Sequence, residues 1–149
     1  MKAIIQRVTK AEVRVDGQIT GKISNGLMVL LGVHVSDSEN DAVWLAKKVV
    51  NCRIFEDDQQ KMNLSCIDIG GDILVVSQFT LYCDASKGNR PSFIESARPE
   101  ISEPLYERFC FEISELLGRP VQKGIFGAMM EVEFINHGPV TIIIESKKS

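Results

Sequence analysis

The sequence predicts a mixed α/β fold rich in sheet: a compact, barrel-like system of antiparallel and mixed strands with two helices packed outside. Three observations carry this. Most apolar residues fall in short runs closed by Gly, Asn or Asp turn signals, as strands do. Only two stretches, opening near Ser36 and near Ser102, carry apolar residues at helical spacing. The elements do not alternate strand with helix, so a doubly wound parallel sheet is not expected. A chain of 149 residues is expected to form one domain over 1–149, with a sizeable core.

Taken in order, Lys2 to Val8 and Ala11 to Val15 read as strands, the second alternating Val13 and Val15 against Glu12 and Arg14. Asp16-Gly17 is a turn signal leading into a strand over Gln18 to Ile23, and Asn25-Gly26 marks another turn. Leu27 to Val35 is almost free of polar residues, the pattern of a strand buried on both faces. Ser36 and Glu39 have capping-box spacing and open the first helix, with Ala42, Ala46, Val49 and Val50 on one face. Ile54 and Phe55 follow as a short strand, and Glu56 to Gly71 is polar and loop-like. Ile73 to Leu81 reads as a second buried strand, and Asp84 to Pro99 as the longest irregular stretch. Ser102 is placed as the cap of the second helix, with Leu105, Phe109, Ile113, Leu116 and Leu117 on its apolar face and Gly118 as its stop. Val121 to Lys123, Ala128 to Ile135 and Val140 to Glu145 read as strands.

Composition excludes several classes. Net charge is −3, which argues against a broad, sequence-blind grip on nucleic acid through many phosphates. A local basic rim is compatible with it, and Lys87, Arg90 and Arg98 cluster in sequence; Lys147 and Lys148 read as solvated surface. The longest apolar run is too short to span a bilayer, and Met1 to Arg7 does not resemble a signal peptide, so the expected location is the cytoplasm with no membrane partner. Cys52, Cys66, Cys83 and Cys110 make no C-x-x-C pair and match no zinc spacing; with His34 and His137 as the only histidines, no metal or cofactor is expected. The cysteines read as buried reduced thiols.

Three segments break their local patterns. Asn136-His137-Gly138-Pro139-Val140-Thr141 puts a proline between two strands, where its missing amide hydrogen cannot serve a ladder. That step is a turn, a bulge or a cis peptide, each of which would expose backbone carbonyls at a set angle. It reads either as a tight hairpin corner or as a rigid backbone wedge that meets a ligand. Ser77-Gln78-Phe79-Thr80-Leu81 ends an apolar strand with polar side chains, either because the strand emerges into solvent or because a ligand pocket lies there. A serine or threonine nucleophile needs a base, and neither histidine lies in a Ser-His-Asp pattern. Gly124-Ile125-Phe126-Gly127-Ala128-Met129-Met130 puts two glycines in strand-like sequence, read as a bend or a close backbone approach.

Those segments, with Lys87-Gly88-Asn89-Arg90-Pro91-Ser92-Phe93, occur in an order and at spacings that resemble the D-aminoacyl-tRNA deacylase family. Ile5-Gln6-Arg7-Val8, Arg53-Ile54-Phe55 and Lys61-Met62-Asn63-Leu64 add to a resemblance that covers essentially the whole chain. It implies a sheet-rich homodimer that hydrolyses the ester between a D-amino acid, or glycine mischarged on tRNA-Ala, and the 3′ end of tRNA. It further implies that Gly138 and Pro139 form a cis wedge entering the partner's site, with Asn136, Val140 and Thr141 holding it. Ser77, Gln78, Phe79 and Thr80 would be the catalytic positions, around the terminal adenosine and the aminoacyl group. Phe126, Ala128 and Met130 would complete the substrate wall. Two other readings stay open: a Ser/Thr esterase or amidase acting on small D-amino-acid compounds, and a non-catalytic tRNA-binding module. Thr141-Ile142-Ile143-Ile144 would be a hazard as a bare edge, which pairing across a two-fold axis would hide; an interior strand is the equal alternative.

Overall fold

The computed structural model describes residues 1–147. The first strand, β1 (Lys2–Val15), organises the sheet. It pairs antiparallel with β3 (Gly26–Gly32) through its first half and with β2 (Gln18–Ile23) through its second. The last strand, β8 (Glu131–Glu145), runs antiparallel to β1 from Lys2↔Glu145 to Arg14↔Glu131. Strand β6 (Asp72–Ser77) lies parallel to β3, and the short β7 (Gln122–Lys123) lies parallel to β6. The expected short strand at Phe55 is present as β4 (Phe55–Glu56), and it pairs in a separate small ribbon with β5 (Met62–Leu64), which lies inside the expected loop.

The sheet curls until β2 approaches β7. The Thr20 hydroxyl donates to the Lys123 carbonyl at 3.3 Å and the Lys22 amide donates to Gln122 Oε1 at 3.4 Å, so side chains bridge what a ladder would otherwise close. The result is the expected mixed α/β architecture: a nearly closed, barrel-like sheet with two helices packed outside, α1 (Glu39–Asn51) and α2 (Pro99–Leu117).

Two apolar clusters explain why β3, and β6 between Asp72 and Ser77, lack polar residues. Val29, Leu31, Ile73 and Val75 face the helices, against Leu45 and Val49 of α1 and Phe109 and Ile113 of α2. Met28, Leu74 and Val76 face the other way, against Val8, Val13 and Ile23 in the barrel interior. Full burial of each such side chain contributes about 1.5–3 kcal/mol.

Several boundaries differ from expectation. The first two predicted strands are one, because Thr9 and Lys10 continue the pairing while register shifts near Val8 absorb the irregularity. The third strand ends at Gly32 rather than Val35, and the predicted strand to Leu81 ends at Ser77. There the Gln78 amide donates to the Leu31 carbonyl at 2.8 Å and the chain winds into a 3-10 turn, Phe79–Leu81. Helix α1 is capped at Ser38, not Ser36: the Asp41 carboxylate accepts from the Ser38 amide and hydroxyl, both at 2.8 Å, while Ser36 pairs with the His34 ring. Helix α2 starts at Pro99, whose ring suits the first helical position, and Ser102 lies inside it with its hydroxyl donating to the Arg98 carbonyl at 3.1 Å. Gly118 ends α2 at φ +73°, the left-handed cap expected of it.

Asn136–Pro139 does not divide two strands. Strand β8 runs through it, and the Gly138–Pro139 peptide is cis. Lys147 is half-exposed but not free: its ammonium donates to the Ser36 carbonyl at 2.6 Å and lies 3.2 Å from Asp41. Lys148 lies outside the described residues. All four cysteines are free. Burial pushes the thiols of Cys66 and Cys110 up to about 12 and raises that of Cys52, whereas Cys83 is exposed, against the expectation that all are buried.

Candidate active site

Where β6 stops, the sheet opens into a cavity of about 680 Å³. Ser77, Gln78 and Phe79 form one wall because the 3-10 turn lifts the chain off the β3 ladder as soon as Ser77 has paired with Leu31. The opposite wall is the segment between β7 and β8, including Phe126, Ala128 and Met130. The start of α2 closes a third side through Arg98 and Ser102, and Tyr106 lies at the base.

Tyr106 ties these walls together. Burial pushes its phenol well above the ordinary range, so it stays protonated and donates to the Val75 carbonyl at 3.2 Å. The Gly124 amide donates to that same carbonyl at 3.2 Å. One oxygen of β6 therefore joins α2 and the 124–130 segment to the strand bearing Ser77. The Tyr106 ring packs against Phe126 with centroids 5.7 Å apart. Sequence reasoning missed Tyr106, although it stands one turn beyond Ser102 on the inward face of α2.

Thr80 does not line the cavity. Its hydroxyl oxygen accepts from the Gln78 amide nitrogen, and among the described residues no imidazole or carboxylate is hydrogen-bonded to it. The amides of Phe79 and Thr80, first in the 3-10 turn, have no backbone acceptor among the described residues.

Gly138, Pro139 and Asn136 are also absent from the cavity wall of their own chain. Gly138 adjoins Arg7, which pairs with Leu27, whereas the cavity begins beside Leu31. Four residues of strand separate them, roughly 13 Å. Gly138 and Pro139 are exposed. Their loop is braced from below: Arg7 Nε donates to the His137 carbonyl at 3.0 Å and Arg7 Nη1 to the Ile54 carbonyl at 2.7 Å. Asn136 accepts from the Val140 amide at 3.1 Å through Oδ1 and donates to Gln6 Oε1 at 2.7 Å, while the Thr141 hydroxyl also donates to Gln6 at 2.5 Å. Arg7 carried a legible signal: it stands in phase with the buried Ala3 and Ile5, where a cation demands a partner.

The model for the D-Tyr-tRNA(Tyr) deacylase family matches residues 4–145. A protein of Opitutus terrae named D-aminoacyl-tRNA deacylase is 56% identical over 146 residues, 98% of this chain and 97% of its own length. One of the same name from Parabacteroides distasonis is 51% identical over 147 residues, covering 99% of this chain and 98% of itself. Among solved structures, a c-Myc DNA unwinding element binding protein superposes with a TM-score of 0.94 at 39% identity, over 99% of this chain and 100% of that one. A probable eukaryotic D-amino acid tRNA deacylase superposes with a TM-score of 0.84 at 17% identity, over 97% and 98%, which speaks for the fold alone. The polar end of β6 and the braced Gly138–Pro139 segment of β8 both fall within the matched span, and the chain belongs to the D-Tyr-tRNA(Tyr) deacylase family.

Proposed function

We propose that this chain hydrolyses the ester joining a D-amino acid to the 3′-terminal ribose of tRNA, releasing the free amino acid and tRNA. Glycine mischarged on tRNA-Ala would be a second substrate. The observation that carries this reading is the cavity at the end of β6. Its volume suits an aminoacyl-nucleoside, and Ser77, Gln78 and Phe79 stand across it from Phe126, Ala128 and Met130.

In this reading the active unit is a homodimer. Gly138 and Pro139 do not line their own cavity, which supports a carbonyl wedge that serves a second copy. Strand β8 gives that copy a place to dock: it pairs only with β1 among the described strands, and Ile135 and Ile143 are 49% and 62% exposed along it. The carbonyls of the wedge would hold the substrate's α-ammonium group. With that group and the ester carbonyl both held, an L side chain points into the wedge and a D side chain points out. Handedness is then judged by steric rejection. Glycine, with no side chain, escapes it.

The chemistry needs little from side chains. Water adds to the ester carbonyl, the bond from acyl carbon to ribose oxygen breaks, and that oxygen takes a proton. We assign stabilisation of the oxyanion to the amides of Phe79 and Thr80, a role supported by their having no backbone acceptor among the described residues. Thr80 has a donor beside it and no base, so the neighbouring ribose hydroxyl is the better proton carrier. We place the reaction in the cytoplasm, where aminoacyl-tRNA is used. Among the described residues no helix is long and apolar enough to cross a membrane.

The test is deacylation of matched D- and L-tyrosyl-tRNA. Rapid release from the D ester with the L ester spared is expected; equal rates would sink the proposal. Cleavage of a simple D-tyrosine ethyl ester at a comparable rate would favour a small-molecule esterase, and RNA binding without release a non-catalytic module.

A further inference from the structure

Four aromatic rings are strongly exposed, and two of them are already covered. Lys48 lies over Trp44 at 5.5 Å and Arg108 over Phe111 at 5.9 Å, each from the same helix as the ring. The other two have no such cover. Phe79, on the 3-10 turn, is 59% exposed, and Phe93, in the loop before α2, is 37% exposed. They meet edge to face, with centroids 5.2 Å apart and planes at 68°, at the mouth of the cavity. Two exposed phenylalanines held edge to face at the cavity rim make an apolar shelf that this chain does not itself cover.

The shelf has a charge signature. Phe93 shares its segment with Lys87, Arg90 and Arg98, and none of the three forms an ion pair with a described carboxylate. The segment is not purely basic. It also holds Asp84, whose carboxylate accepts from the Ser86 amide at 2.9 Å, and Glu95 and Glu100. A flat apolar surface beside unpaired cations is the combination that holds single-stranded RNA: bases stack on rings whatever their identity, and phosphates take the cations.

We propose that Phe79 and Phe93 form a second nucleotide subsite. With the terminal aminoacyl-adenosine in the cavity, the base of the preceding nucleotide stacks on the phenylalanine shelf, and Arg98 at the cavity edge takes the phosphate between the two. This rests on the deacylase reading of the cavity, and it adds that the enzyme grips at least two nucleotides of its substrate.

The test compares D-tyrosyl-adenosine with the D-tyrosyl ester of the trinucleotide CpCpA. The wild-type kcat/KM is expected to be higher on the trinucleotide. Phe93→Ala should lower kcat/KM on the trinucleotide by roughly five- to hundred-fold, the range of one lost base–aromatic stack, and lower it by a clearly smaller factor on D-tyrosyl-adenosine, whose cavity the ring also borders. Phe93→Tyr, which keeps the ring face, should retain the preference. Equal wild-type values on the two substrates would overturn the subsite, as would an equal loss on both in Phe93→Ala. A shift of Phe93→Ala in sedimentation would assign the shelf to contact between copies of this chain and overturn it too. If the wild type cleaves neither ester, the deacylase reading fails and takes the subsite with it.

Discussion

Arg7 holds a guanidinium at a position that strand alternation assigns to the interior, and no carboxylate compensates it among the described residues. Its partners are two carbonyls, of Ile54 and of His137 beside the Gly138–Pro139 step. Arg7→Met should therefore destabilise the fold by about 1–3 kcal/mol, through the stranded Ile54 carbonyl, and should lower activity more steeply than stability. Urea unfolding alongside deacylation of D-tyrosyl-tRNA separates the two effects. Gly138 adopts φ +132°, and an added Cβ would stand 2.8 Å from Val140 Cγ2 and 3.0 Å from Arg7 Nη2. Sequence alone predicts that Gly138→Ala spares the fold; the geometry says otherwise, because an alanine there is strained and crowded in its own chain before any substrate arrives. A loss of about 1–3 kcal/mol in stability is expected together with loss of turnover, and a variant of wild-type stability and rate would contradict it. Thr80→Ala removes only the acceptor of the Gln78 amide, so substantial activity should remain. Its complete loss, with binding preserved, would return the chemistry to a side chain.

At the scale of elements, α1 is held at its start by Asp41. Burial opposes ionisation of this carboxyl, yet the Ser38 amide and hydroxyl, with Ser146 and Lys147 beside them, bring it from 3.8 down to about 2. A group whose pKa is depressed by folding contributes stability above its unfolded value and loses it as pH falls through the folded one. Wild-type stability should thus drop by about 2 kcal/mol between roughly pH 4 and pH 2, a slope that Asp41→Asn would flatten in pH-resolved thermal melts. Strand β8 invites a different experiment. Ile143 is 62% exposed on a strand with one partner, so Ile143→Lys should leave the monomer's melting temperature nearly unchanged and weaken self-association. Analytical ultracentrifugation reads that directly, and an unaltered dimer would place the contact elsewhere.

For the whole molecule, an acidic chain that grips RNA with a few cations should be only mildly sensitive to salt. If Lys87, Arg90 and Arg98 are the phosphate ligands, log(kcat/KM) for the trinucleotide ester should fall with log[salt] at a slope no steeper than about −2. A much steeper line would require a basic surface that this chain lacks. The architecture was legible because periodicity and turn signals are local: β2, the helix-facing residues of α1 and the Gly118 stop all read correctly from neighbours in sequence. Boundaries set by distant partners were not. Ser77 ends β6 because Gln78 reaches across to Leu31, and Lys2–Val15 is one strand because β8 spans its two halves. Within the proposed site, the polar end of β6 and the Gly138–Pro139 step announced themselves by breaking a pattern. Tyr106 could not, since its importance lies in sharing the Val75 carbonyl with Gly124, a meeting only the folded chain reveals. The pairing of the first strand with the last reaches beyond the finished molecule. During translation β1 leaves the ribosome well before the mate that matches it from Lys2 to Arg14 is made. Nascent chains therefore carry a long β edge until β8 emerges, so chains stalled before residue 131 should depend more on chaperones than chains in which β8 has been released.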